Sequence, residues 1–584
     1  MTVGNASRGL FQASIVHRAW QRLQSPADEW PGKAIAAVCV LISAYVAITT
    51  IGVVIFTHSD LLYWDQWERV TTQQLIDRIF HQHNEHRLFF PSLFFIADTG
   101  LFGGRNWFLN ASSVSIQLAH SALLTIIIAK AKMPKWVIAS FGGLALAATL
   151  SAAQIVNLTW GFQVQFVLVF LTGSSAFWLA TDPRERIFAT AAMMSISAFS
   201  LSAGVMTLAI TPFAAFAAGR SMRFIGILSV WGMVMGGLFF WGYASPAHHE
   251  YASITDDFLA IVQFAAIYLG APIAGGLIDA VGIVRTSEGM KAFAGVVGGS
   301  ALVLYGALSI FLLTRLVRRQ WLDRVTTTFA CIAGMIVLAA FATGVGRAVM
   351  SIDIAFSSRY ATPSMLFWVG LVGLLFSLVG QRKLQELIAF GAVFIAIAAA
   401  SQDGHGRRLA FDRHDRLNNA YAALLSGVDD DAVLQNAYSS TATVKQQADL
   451  LREKSIGIFG MDIAAWRGQQ LARHALLADE AECLGHVDQV QTLAGGALVA
   501  DGWAWDVAAR KGVETIFITD ADNTIIGFGK RTTRRRDVEK AIASVLDVRT
   551  GWTAFSNSTD ALGGNAYALL KNGRACGLIG DLSL

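Results

Sequence analysis

Apolar positions run in long unbroken blocks separated by short polar stretches, with no sustained amphipathic period. Blocks of about 20 apolar residues have the length that crosses a bilayer as a helix. They fall at 34–57, 107–129, 136–154, 161–180, 224–243, 292–314, 325–346, 362–380 and 384–400. The block 187–219 is too long for one crossing and divides into two short ones near Ser202-Ala203-Gly204. The pattern predicts a mostly α, polytopic membrane protein with about 11 transmembrane helices. Two further apolar stretches are interrupted: 88–102 by Pro91, Asp98 and Gly100, and 258–284 by Pro272, glycines and Asp279. Both are predicted to lie at the interface or to re-enter it.

Charge then orients the chain. Arg8, Arg18, Arg22 and Lys33 precede the first block, which reads as a signal anchor and not a cleaved peptide. Lysine and arginine recur at Lys130, Lys132, Lys135, Arg184, Arg186, Arg220, Arg223, Arg315, Arg318, Arg319, Arg382 and Lys383. The charge rule makes those loops and segment 1–33 cytoplasmic, and loops 58–106 and 244–291 outward. The transmembrane domain is 34–400, and the chain beyond it faces outward too. Region 401–482 reads as a helical linker, with Asp429-Asp430-Asp431 able to start a helix towards Leu451. From 483 to 584 the pattern changes to short alternating strands, and 514–519 is predicted to pair with 525–529 as a hairpin. The region is α+β overall.

Composition agrees: 54% of residues are hydrophobic, 15% are charged, and mean hydropathy is +0.49, which excludes a soluble globular chain. The net charge of +4 is spread through short loops and offers no nucleic-acid surface.

Chemistry concentrates after the first block, in Tyr63-Trp64-Asp65-Gln66-Trp67-Glu68 and His83-Asn84-Glu85-His86-Arg87. A spacing of three puts Asp65 and Glu68 on one face of a helical turn, and likewise His83 and His86. An aromatic interfacial belt with surface ion pairs would use similar residues.

An acidic residue beside tryptophan in the first outward loop resembles the GT-C superfamily of glycosyltransferases. Asn157-Leu158-Thr159-Trp160-Gly161-Phe162-Gln163 and Ser357-Ser358-Arg359-Tyr360 are similar to motifs of bacterial members. The resemblance implies a GT-C-like membrane domain in a bacterial inner membrane. It implies transfer of a hexose or pentose from a polyprenyl-phosphate carrier to a periplasmic glycan or glycolipid. Asp65 matches the family's catalytic position and would be the general base. Glu68 would be second choice, or would orient Asp65. Arg359 with Tyr360, Arg87 and Arg347 would hold the donor phosphate. His83, Glu85 and His86 would contact substrate or open a helix that orients Asp65. They could also ligate a divalent metal, as some GT-C enzymes require, although the spacing is no recognised zinc pattern. No other cofactor is expected. Asn157, Trp160 and Gln163 would line a sugar pocket or pack helices. His248, His249 and Glu250 would be acceptor contacts. The alternatives are a transporter or flippase for lipid-linked glycans, and a ligase or polymerase.

Asp501-Gly502-Trp503-Ala504-Trp505-Asp506, Arg535-Arg536-Asp537-Val538 and Thr550-Gly551-Trp552 resemble a β-sandwich module appended to bacterial glycosyltransferases. Trp503, Trp505 and Trp552 fall within the module's repeating motif, which favours a core role over a glycan-binding face. Cys483 and Cys576 flank this module and would form a disulfide in the oxidising periplasm. Cys39 and Cys331 fall inside apolar blocks as small core residues.

Overall fold

The structure is a computed structural model and describes residues 29–246, 251–282, 287–493, 495–557, 563–580 and 582. The arginines before residue 29 and the His248-His249-Glu250 group lie outside the described residues.

Among the described residues, ten helices are long and apolar enough to cross a membrane by length and composition. That is the inventory of a multi-pass membrane protein. The bundle is built from α1 (Trp30–Phe56), α2 (Phe89–Leu101), α3 (Trp107–Ala129), α4 (Lys135–Thr149) and α5 (Val164–Ala180). It continues with α6 (Ile187–Ala198), α7 (Met206–Ala217), α8 (Met222–Phe240), α9 (Phe258–Ala280) and α10 (Ser287–Val317). It closes with α11 (Arg324–Arg347), α12 (Ser358–Leu378) and α13 (Arg382–Ser401).

The long block at 187–219 is two short helices, α6 and α7, joined by a tight turn at Ser202–Val205. A side chain at Gly204 would place its Cβ 1.8 Å from the Ser197 carbonyl oxygen, so the turn requires glycine.

The sequence marks 258–284 as interrupted, but α9 is unbroken from Phe258 to Ala280. Pro272 removes a donor from the helix ladder. The helix runs on through it, and the neighbouring Leu269 carbonyl accepts from Ser364 Oγ at 2.8 Å and Trp368 Nε1 at 2.9 Å, tying α9 to α12. Gly270 and Gly298 let α9 and α10 touch backbone to backbone, where a Cβ would meet Ala294 O at 2.0 Å or Ala266 O at 1.9 Å. The early part of α9 packs at Gly344, and its later part at Ala398 and, through the Pro272 carbonyl, Gln402. Both contacts are at one end of the bundle, so α9 lies across that end. Lys130, Asp182, Arg184, Arg186 and Arg324 gather at the opposite end.

After α13 a single residue, Gln402, leads into α14 (Asp403–Ser426), which ends at Gly427 in a left-handed conformation, φ 70°. The region 401–482 is therefore no linker. Helix α14 packs against the C-terminal sheet, with Asn418 donating to Arg531 O at 2.9 Å and Ser426 Oγ accepting from the Phe528 amide at 2.9 Å. The expected helix from the aspartates is two pieces. Asp430 caps one turn at Asp431–Leu434, and Ser440 caps a fresh helix, α15 (Thr441–Glu453).

The last hundred residues form one curled sheet and not a two-sheet sandwich. Its strand order is β10-β9-β6-β7-β8-β4-β3, with β5 on β4. These are β3 (Cys483–Thr492), β4 (Leu498–Asp506), β5 (Lys511–Gly512), β6 (Thr515–Thr519), β7 (Ile525–Thr533), β8 (Gly551–Ser556), β9 (Ala566–Leu569) and β10 (Ala575–Gly577). β6 and β7 are the expected hairpin. Curling brings the edges together, and the Val487 amide donates to Ile579 O at 2.8 Å across the seam. Cys483 and Cys576 are disulfide-bonded there, with Cα atoms 6.4 Å apart. Hydrogen bonding around the curl removes the separate second sheet that a sandwich needs. Trp505 and Trp552 are fully buried, and Trp503 is half-buried.

Candidate active site

Tyr63–Arg69 closes one tight 3₁₀ turn, Trp64–Glu68, at the end of the bundle reached by α1. Gln66 holds it, accepting from the Tyr63 amide at 3.2 Å and donating to Asn106 Oδ1 at 2.7 Å. Trp67 is buried and donates to Leu62 O at 2.9 Å. In a 3₁₀ turn residues three apart eclipse, so Asp65 and Glu68 point to one side.

That side faces His83. Asp65 Oδ2 is 3.7 Å from His83 Nε2, and Glu68 Oε2 is 3.6 Å from Nδ1. Burial opposes a charge on the ring, but the two carboxylates override it and hold the His83 pKa up to about 9. The same contact draws the Glu68 carboxyl below its usual range against its own burial, and Tyr438, donating to Glu68 Oε1 at 3.1 Å, adds to this.

His83 and His86 open no helix. They are opposite partners in a two-strand hairpin, β1 (Gln82–His83) and β2 (His86–Arg87). Asn84 closes it at φ 49°, a left-handed conformation asparagine tolerates. Both histidines still share a face, through cross-strand pairing instead of helical spacing. His86 Nδ1 accepts from the Ser202 amide at 3.2 Å, so its proton sits on Nε2. Burial pushes the His86 pKa down to about 4 and keeps the ring neutral.

A cavity of about 260 Å³ opens beside these groups. Asp65, His83, Glu85 and His86 line it with Gln163, Gln165, Arg347, Arg359 and Tyr360. Phe166 and Phe170 of α5, Met206 of α7 and Ala339 and Ala342 of α11 make an apolar wall. Arg347 Nη2 is 3.0 Å from Glu85 Oε1, so an acid already answers it. Arg359 is half-buried in the wall, and its guanidinium has no hydrogen-bond or ion-pair partner among the described residues. Tyr360 packs at 5.1 Å on Tyr268, another cavity residue.

Three expected site residues are elsewhere. Arg87 donates to the carbonyls of Phe239 at 2.6 Å, Phe80 at 2.9 Å and Trp241, strapping the hairpin to the end of α8, and it does not line the cavity. Asn157 is buried and donates to Arg359 O at 2.9 Å and Thr362 Oγ1 at 2.8 Å, so it braces α12. Trp160 donates to Tyr63 O at 3.0 Å and supports the turn from behind. Gln163 does reach the cavity. The three metal candidates are divided among different partners, and the described residues hold no cluster of three acidic, histidine or cysteine groups placed for a metal.

Reading the sequence missed Gln165, Tyr268 and Tyr438. The motif ending in Phe162-Gln163 invited a look two residues on, whereas nothing local ties Tyr438 to Glu68. No family model, curated protein or solved structure matches the chain.

Proposed function

We propose that the chain is a membrane glycosyltransferase of GT-C type, moving a sugar from a polyprenyl-phosphate carrier to a glycan or glycolipid acceptor. The observation that carries this is one cavity holding three features together: the carboxylate of Asp65, the unanswered guanidinium of Arg359, and an apolar wall below them. Such a cavity suits an amphiphile with an anionic head. In this reading Arg359 holds the phosphate, its planar fork matching phosphate oxygens. The apolar wall takes the start of the prenyl chain. Asp65 accepts the acceptor hydroxyl's proton as that oxygen bonds to the anomeric carbon, and the bond to the phosphate oxygen breaks with its electron pair leaving on phosphate. His83, 3.7 Å from the Asp65 carboxylate, is a positioning residue that aims it. The blocks 34–57, 107–129, 136–154 and 325–346 contain no Asp, Glu, Lys or Arg, which supports an enzyme at one face over a transporter with charges at mid-depth. The basic loops support an orientation with the site on the side away from the cytoplasm, which is the periplasm if the membrane is the bacterial inner membrane the resemblance implies.

The test is sugar transfer in nanodiscs from a polyprenyl-phosphate donor, with donor binding measured separately. Asp65→Asn keeps the shape and removes the base, so turnover is expected to fall by roughly 10²–10⁴ with donor binding retained. Wild-type turnover in that variant would remove Asp65 from the mechanism.

A further inference from the structure

Two amides in the cavity wall have no hydrogen-bond partner among the described residues. Gln163 and Gln165 are 1% and 2% exposed, and both Oε1 atoms are shielded and unpartnered among the described residues. Neither amide nitrogen donates to a described residue. Both side chains line the cavity beside Asp65. The bundle does not treat its other buried glutamines this way. Gln117 Nε2 donates to Gln154 Oε1 at 2.7 Å, and Gln154 Nε2 donates to Thr149 O at 2.7 Å and Ala148 O at 2.9 Å. Buried amides left open lower stability unless an occupant completes them.

The occupant must both donate to an amide oxygen and accept from an amide nitrogen, which neighbouring hydroxyls do. Its charge follows from the ionic groups facing the cavity. Asp65 contacts His83, and Glu85 contacts Arg347. Arg359 is committed to phosphate in the reading above. No described cation in the wall remains for a sugar carboxylate, and no acid remains for a sugar ammonium. Resting on that reading of the cavity as the donor site, we infer that Gln163 and Gln165 read the hydroxyls of the transferred sugar. The sugar is a neutral hexose or pentose and not a uronic acid or an amino sugar.

The test measures binding to the full chain in nanodiscs. The probes are polyprenyl phosphate bare, and carrying a neutral hexose, its deoxy analogues, a uronic acid or an amino sugar. The neutral donor is expected to bind tightest of the sugar-bearing probes. Gln163→Leu and Gln165→Leu should each weaken it by roughly 3–10-fold, the net of one or two hydrogen bonds, and leave bare lipid phosphate unchanged. Against the deoxy donor that lacks the partner hydroxyl, the matching variant should show no further loss. Replacing an unpartnered amide with leucine should not lower the unliganded protein's Tm. Preference for a charged sugar, a neutral donor bound equally by both variants, or a fall in unliganded Tm overturns the inference while leaving the glycosyltransferase reading intact. Failure of every lipid phosphate to bind overturns that reading and this inference with it.

Discussion

Removing the imidazole between two carboxylates tests the core of the site without any substrate. In His83→Gln the side chain keeps similar length and a hydrogen-bonding tip but cannot carry charge. Asp65 and Glu68 then face each other with no cation between them. The folded protein lifts the His83 pKa from 6.5 to about 9. At ~1.4 kcal/mol per tenfold change in proton affinity, this is about 3 kcal/mol of stability tied to the bound proton. The ring is nearly enclosed, so solvent screening reduces that little. A raised folded-state pKa contributes fully below the unfolded value, here 6.5, and is lost as pH climbs through about 9. The variant should therefore melt well below wild type at pH 6, and the gap should narrow steadily towards pH 10, leaving only the packing change. Thermal unfolding of both proteins in one detergent, across that range, gives the comparison. An equal Tm gap at pH 6 and pH 10 would refute the carboxylate–imidazolium–carboxylate arrangement.

Arg87→Ala should lower stability, through loss of its charged donors to three carbonyls, by an amount on the order of 1.5–3 kcal/mol, read as a lower Tm with donor affinity unchanged; weakened donor binding at normal stability would put Arg87 back at the phosphate. Cys483 and Cys576 lie 93 residues apart, so reducing their bond should lower the stability of the C-terminal region by about 4–5 kcal/mol on chain entropy. Alkylation of both thiols in unreduced protein, seen by mass spectrometry, would contradict the pairing. A reporter active only in the periplasm, fused to the C-terminal end, should give signal; signal only from a cytoplasmic reporter would place the site on the other face.

The sequence made some of this legible and hid the rest for identifiable reasons. The three-residue spacing of Asp65 and Glu68 carries over, because a 3₁₀ turn eclipses that spacing even more closely than an α turn. The same spacing misled at His83 and His86, where Asn84 is a turn residue between two short extended pieces and a hairpin wins. Arg87 and Arg359 look alike in sequence. Only tertiary packing puts three carbonyls around one guanidinium and, among the described residues, none around the other. Pro272 was a sound reason to expect a break in α9, but one withheld ladder donor does not stop a helix that Ser364 and Trp368 tie to α12 through the Leu269 carbonyl. The sandwich expectation failed at a seam between strand edges, which rests on pairs such as Gly485 and Ile579 far apart in the chain. Tyr438 was invisible for the same reason of distance, 370 residues from Glu68.

Tyr438 also marks where the C-terminal region grips the turn. The Ala437 carbonyl accepts from the Trp64 amide at 2.8 Å, Tyr438 bonds Glu68, and Gln447 of α15 bonds Gln74 at 3.2 Å. The sheet is attached to the same bundle by an almost unbroken helical shaft, α13 into α14. The C-terminal region is thus fixed to the bundle at two points and is not a tethered accessory. A ligand of the sheet that moved this region against the turn would change the energy of the turn carrying Asp65, and by reciprocity a ligand in the cavity would then change the sheet's affinity by the same factor.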